Sequence, residues 1–227
     1  CFALESNAQV TAGDLAIVGV NSDATNDEIA IVTLASIPAG QTVYITDKGW
    51  LEANNFNQAN TTAEGLITWN VTTTVPAGTL LKVSIAPGGT VTGALSTYGT
   101  VSASGWSDAL FQPIASGGDN WFIFTGSEAS PTFIYGFANW SAGTIGSWIT
   151  APGTTITATT SYLPATLTNG TNAIALTGAG FHADNMVYTG TTSGTKAAIL
   201  AAISNPANWQ GDESVVKDLN PGGTQFP

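Results

Sequence analysis

Leu15-Ala16-Ile17-Val18-Gly19-Val20, then Asn21-Ser22-Asp23-Ala24-Thr25-Asn26-Asp27, then Glu28-Ile29-Ala30-Ile31-Val32-Thr33-Leu34 is the stretch on which the fold turns. Two short runs rich in Val and Ile flank a segment of Asn, Asp and Ser, residues whose short polar side chains bond the nearby backbone and so favour turns. The same texture continues through Thr42 to Thr46, Gly65 to Val71, Thr79 to Ile85, Trp121 to Thr125, Thr132 to Phe137, Thr154 to Thr159, Ala173 to Leu176 and Asn185 to Tyr188. Strand signals spaced by about 8–12 residues belong to a sandwich or barrel. Several runs are apolar on both faces, as inner strands of two packed sheets are. The pattern predicts an all-β, two-sheet sandwich.

One short helix is predicted near 195–204. Ser193 or Thr195 caps its start, Lys196 to Ile203 supplies helix formers with Ile199, Leu200 and Ile203 as the apolar positions, and Asn205-Pro206 stops it. It is expected to pack over an open end of the sandwich. Ile37-Pro38-Ala39-Gly40 and Val75-Pro76-Ala77-Gly78 share an order of apolar residue, Pro, Ala, Gly, each followed by a strand. Pro presets the first turn position and Gly suits the last, so recurrent turn chemistry is a simpler account than an ancestral duplication. No charge run, proline-rich linker or shift in composition divides the chain. Residues 13–209 read as one β-sandwich domain, 1–12 as an exported tether or donor segment, and 210–227 as an extended C-terminal segment.

The 227 residues are 43% hydrophobic and only 8% charged, with Lys+Arg 4 against Asp+Glu 15 and a formal net charge of −11. There is no Arg, and Lys occurs only at Lys48, Lys82, Lys196 and Lys217. Such a chain cannot neutralise a row of phosphates, which argues against nucleic acid and anionic membrane surfaces as partners. No apolar run reaches the roughly 18 residues of a membrane span.

Cys1 is the single cysteine, so no internal disulfide forms. The opening Cys1-Phe2-Ala3-Leu4-Glu5-Ser6-Asn7-Ala8-Gln9 supports two readings of export. Ser6-Asn7-Ala8 is a small-x-small box of the kind that ends a signal peptide, leaving Gln9 as the mature start, and this ending resembles signal peptides of the Bacteroidetes. Alternatively Cys1 is the lipid attachment site of a bacterial lipoprotein. Both place the protein outside the cell or on its surface; a third reading gives the opening no processing signal at all.

Gly13-Asp14 through Asp23, Asp27-Glu28, Ile37-Pro38-Ala39-Gly40 and Ile45-Thr46-Asp47-Lys48-Gly49-Trp50 resemble the start of a domain of secreted and surface proteins from Bacteroidetes and other bacteria. Ser130 to Tyr135, Leu163 to Gly170 and Ala207-Asn208-Trp209 resemble later parts of the same family. The order of elements is also similar to lamin-tail-like immunoglobulin sandwiches. The resemblance implies an immunoglobulin-like or lamin-tail-like sandwich and carries no catalytic residues with it.

Nucleophilic catalysis needs a base beside the nucleophile, and His182 is the only histidine, with no Gly-x-Ser-x-Gly elbow anywhere. Glycoside hydrolysis needs two facing carboxylates. Glu5, Glu28, Glu52, Glu64, Glu128 and Glu213 are scattered, and a glycan-acting enzyme would have to use an acid such as Asp119 or Asp184. Calcium has a better case: Asn21, Asp23, Thr25, Asp27 and Glu28 concentrate hard oxygen ligands in one loop, and Asp47 follows a nearby strand. The EF-hand pattern fails, because Asn26 replaces the turn glycine and Val32 the closing Glu. Such loops also serve simply as Asx-turns.

Trp50, Trp106, Trp140 and Trp148 stand beside Gly, Ser or Asn in predicted loops, where an indole face can stack on a sugar or, alternatively, close the end of the sandwich. Taken together, the chain reads as a non-enzymatic extracellular structural or adhesive protein, a self-assembling filament or surface-layer subunit joined by strand addition to its own kind or to other surface proteins. The alternatives are a carbohydrate-binding module for glycans, assisted by calcium, and a glycan-acting enzyme.

Overall fold

The structure, a computed structural model, describes residues 9–59, 63–107, 114, 117–140, 148–177 and 184–219. Cys1 and His182 lie outside the described residues. Among the described residues, twelve strands form two six-stranded sheets. They are β1 (Leu15–Asn21), β2 (Asp27–Thr33), β3 (Thr42–Thr46), β4 (Gly65–Val71), β5 (Leu80–Ile85), β6 (Val91–Gly93), β7 (Gly99–Gly105), β8 (Asn120–Ser127), β9 (Ser130–Ala138), β10 (Ala173–Ala175), β11 (Asn185–Tyr188) and β12 (Trp209–Asp212). Sheet 1 runs β12-β11-β1-β2-β5-β6 and sheet 2 runs β10-β9-β8-β3-β4-β7. Every pairing is antiparallel except β10 with β9. The two-sheet all-β sandwich follows the sequence pattern.

Two differences from that pattern have physical causes. Thr154 to Thr159 is not a strand: its hydroxyls bond the local backbone instead, Thr154 Oγ1 to Ala151 O at 2.7 Å and Thr157 N to Thr160 Oγ1 at 2.8 Å, the side-chain competition that pulls Thr and Ser away from sheet ladders. The strands β6, β7 and β12 carry no apolar alternation because β7, β6 and β12 are sheet edges with little to bury.

The helix α2 (Lys196–Ile203) is capped by Thr195, whose side chain accepts from Ala198 N, and it buries Ile199, Leu200 and Ile203. A second helical turn, α1 (Leu95–Tyr98), joins β6 to β7. Among the described residues after Gln210, β12 pairs with β11, Lys217 N donates to Asn21 Oδ1 at 2.9 Å, and Leu219 is buried.

The core has two parts. Ile17, Ile29, Trp69, Trp121 and Ile123 fill the space between the sheets. Phe122, Phe124 and Phe133 project to the other side of sheet 2, where Trp50, Phe56, Trp148 and Leu167 from the long loops cover them. Trp121, Phe122, Ile123 and Phe124 are consecutive and all 0% exposed. Both faces of β8 are therefore dry, which explains its unbroken apolar run. Each buried phenylalanine contributes roughly 1.5–3 kcal/mol.

The Pro-Ala-Gly repeat proves to be a matched pair of crossovers. The first carries the chain from β2 in sheet 1 to β3 in sheet 2, and the second returns it from β4 in sheet 2 to β5 in sheet 1. They meet at a two-bond bridge between Ile37 and Val75, each N–H donating to the other's carbonyl at 2.9 Å. Gly40 N donates to Val71 O at 2.8 Å and Gly78 N to Thr33 O at 2.7 Å, so equivalent positions make equivalent bonds. Both glycines are left-handed, at φ +89° and +80°. A side chain at Gly40 would meet nothing within 4 Å. Gly40→Ala is therefore expected to cost about 1–2 kcal/mol from backbone conformation alone, read as a lower urea midpoint with unchanged m. No loss at all would mean that the crossover does not need its left-handed turn.

Candidate functional site

Because the Ile37–Val75 bridge ties the ends of β2 and β4 together, both strands begin at the opposite end of the sandwich, where β1, β3, β5 and β9 finish. Acidic residues stand at these strand ends: Asp23, Asp27, Asp47, Glu64 and Asp119. Four of them, Asp27, Asp47, Glu64 and Asp119, are buried, at 0, 0, 4 and 3% exposure.

Asp47, just past β3, accepts from Gly65 N at 2.7 Å through Oδ1 and from the Trp106 indole Nε1 at 2.5 Å through Oδ2. Trp106 sits at φ +45°, unusual for a bulky residue, and its ring fills the space a Cβ at Gly65 would need. Asn120 Nδ2 donates to the Asp47 carbonyl at 2.7 Å, and Asp119 Oδ1 accepts from Asn120 N at 2.7 Å. Asn139 Oδ1 accepts from Asp119 N at 2.9 Å. Glu64 lies among these groups with its Oε2 buried and without a hydrogen-bond partner. On sheet 1, Asp27 Oδ2 accepts from Ile114 N at 2.5 Å while its Oδ1 has no partner.

Burial drives all three titrations upward. Loss of solvent pushes Asp27 up to about 7, with the Asp23 charge adding to the shift. It pushes Asp47 up to about 8 despite the donors from Gly65 and Trp106. Glu64 is raised furthest, by burial first and then by the charges of Asp47 and Asp119. A carboxyl in this setting keeps its proton where a solvated one would lose it.

The expected calcium ligands do not come together. Asp47 belongs to the sheet-2 group, Glu28 is ion-paired to Lys82 Nζ at 2.6 Å, and Asp23 Oδ2 accepts from Asn185 Nδ2 at 2.7 Å. Among the described residues no three His, Cys, Asp or Glu side chains are placed to hold a metal ion. The expected sugar-stacking tryptophans are also corrected: Trp50, Trp106, Trp140 and Trp148 are 6, 2, 1 and 5% exposed. Trp50 meets Phe133 edge-on at 4.9 Å, Trp148 stacks on Phe122 at 5.6 Å, and Trp140 meets Trp148 at 5.6 Å. Three of these indoles serve the second core and Trp106 serves the first, so none offers a ring face to a sugar.

A separate cleft of about 630 Å³ lies between the 51–59 and 153–162 loops, lined by Glu52, Asn57, Thr154, Ile156 and Tyr162 among others. Glu52 lies on its wall, and its Oε2 accepts from Gly153 N at 2.7 Å. Among the described residues that line it there is no second carboxylate to make the pair that glycoside hydrolysis uses. Glu64 and Asp119 were invisible as partners in the sequence because only strand register brings them to Asp47.

A raised carboxyl pKa has a definite sign in stability. Below the ordinary carboxyl value both states are protonated; as pH climbs toward the folded value the unfolded chain ionises first, and stability is lost. The urea midpoint is expected to fall from about pH 4 through about pH 8, where Asp47 titrates in the folded state, and Glu64→Gln to flatten that fall. An equally steep fall in the variant would remove Glu64 as a source of the pH dependence and leave it to Asp27 and Asp47.

No protein-family model matches the chain, and no curated protein or solved structure shows significant similarity to it.

Proposed function

We propose that this chain is a non-enzymatic extracellular structural or adhesive protein, a subunit of a surface filament or surface layer that joins its neighbours by strand addition. The outer edge of sheet 2 carries the reading. β7 pairs with β4 over seven residues with no bulge, from Gly65↔Gly105 to Val71↔Gly99, and among the described residues it has no strand on its other side. Thr100, Ser102, Ala103 and Ser104 are exposed. Natural edges are blunted by shortness, Lys, Pro, a bulge or a covering segment; β7 has none of the first four, and the 86–90 turn approaches it at its Gly105 end, whereas β6 and β10 have three residues each and β12 four.

Other features support the same reading. Four Lys and no Arg leave trypsin-like proteases few sites in a chain outside the cell. The resemblance to secreted surface domains and the two export readings of the opening residues point the same way. Of the two terminal segments, the one from Gln210 is engaged with its own sheet through β12, Lys217 and Leu219.

Electron microscopy of the purified protein and of the producing cell's surface tests the proposal, with ordered assemblies as the expected result. A protein that stays monomeric and has no place in any surface structure would sink it. The 630 Å³ cleft favours a second reading, glycan binding at Glu52, Asn57 and Tyr162. On a glycan array that reading expects signal lost in Tyr162→Ala, and EDTA treatment reports whether calcium takes part.

A further inference from the structure

We propose that two copies of this chain pair through β7, antiparallel and centred on Ser102, so that six strands from each copy form one continuous sheet. This names the partner of the open edge and rests on the strand-addition reading above.

The direction of the backbone groups can be worked out residue by residue. Val71 N donates to Gln41 O at 2.9 Å and Val71 O accepts from Gly40 N at 2.8 Å, so both groups of Val71 face β3. Gly65 N, donating to Asp47, also faces that side. In an antiparallel sheet the N–H and C=O of one residue point the same way, and the direction alternates along the strand. Leu66, Thr68 and Asn70 therefore face β7 and pair with Ser104, Ser102 and Thr100. It follows that Val101 and Ala103 turn their N–H and C=O outward, away from β4. Neither has a backbone bond on that side among the described residues.

The strand is close to a palindrome. In Gly99-Thr100-Val101-Ser102-Ala103-Ser104-Gly105, reversal places Gly on Gly, Thr on Ser, Val on Ala and Ser102 on itself. Two copies related by a two-fold axis then exchange hydrogen bonds between Val101 and Ala103 in both directions, as an isologous interface requires. Thr100 and Ser104 face each other as a hydroxyl pair, a favourable cross-strand combination. The chain carries a net charge of −11, yet β7 contains none of its acidic residues, so this edge can be approached by a second copy without like charges meeting.

Ser102 falls at a non-hydrogen-bonded position of the new pair, where opposite side chains come closest. In a Cys1→Ser background, Ser102→Cys is expected to form a disulfide-linked dimer on mild oxidation. Thr100→Cys should not link to itself but should link to Ser104→Cys when the two are mixed. Ser102 is exposed, so Ser102→Lys and Ser102→Asp should each fold and sediment as monomers, and an equal mixture should regain the dimer. Oligomers that survive Ser102→Lys and do not cross-link through Ser102→Cys would overturn the β7 pair while leaving strand addition by another donor. A parent protein that sediments as a monomer at every concentration would overturn both.

Discussion

Trp121 and Ile123 point from β8 into the space between the sheets, while Phe122 and Phe124 point from the same strand into a second apolar layer outside sheet 2. This double burial constrains the rest of the molecule. A sheet that is apolar on both faces must be covered on both, so the loops after β3 and β9 cannot be short. They carry Trp50, Phe56, Trp148 and Leu167 back across the strands as a third layer. The aromatic residues that look like ligand-binding surface in the sequence are the underside of that cover. Their ring contacts, edge-on and stacked at about 5 to 6 Å, are the geometries that add to area burial.

Much of this was legible and some was not, for identifiable reasons. β3, β4 and β11 form over the residues their composition indicates, because each is bounded by turn residues and has an apolar side to bury. The helix was legible from its cap and its stop. β7 is not legible because an edge strand that buries only one side can be built from Gly, Ser, Thr and Ala. Thr154 to Thr159 misleads because β-branched residues favour strands only where a neighbouring strand accepts their backbone bonds. The acidic end is intermediate: Asp27 and Asp47 stand out beside strands. Yet Asp47, Glu64 and Asp119 meet only through the β3–β4 and β3–β8 registers, information that no local pattern holds.

Charge and symmetry are arranged in complementary ways. Acids gather at one end, where several are buried and hold their protons, and the opposite end is closed by the paired crossovers. The long flank at β7 is free of charge. The buried acids that keep their protons add no charge to that pole, so the net charge of −11 is carried by the other acidic residues, none of which lies on β7.

The burial of the indoles has a chemical consequence. All seven tryptophans are at most 6% exposed, and the single methionine, Met186, is 1% exposed. Oxidants reach such side chains only when the fold opens, because susceptibility follows solvent access. Oxidative damage would therefore be limited by the opening of the sandwich rather than by encounter at its surface, both for Met186 in the core between the sheets and for Trp50, Trp140 and Trp148 in the layer over sheet 2.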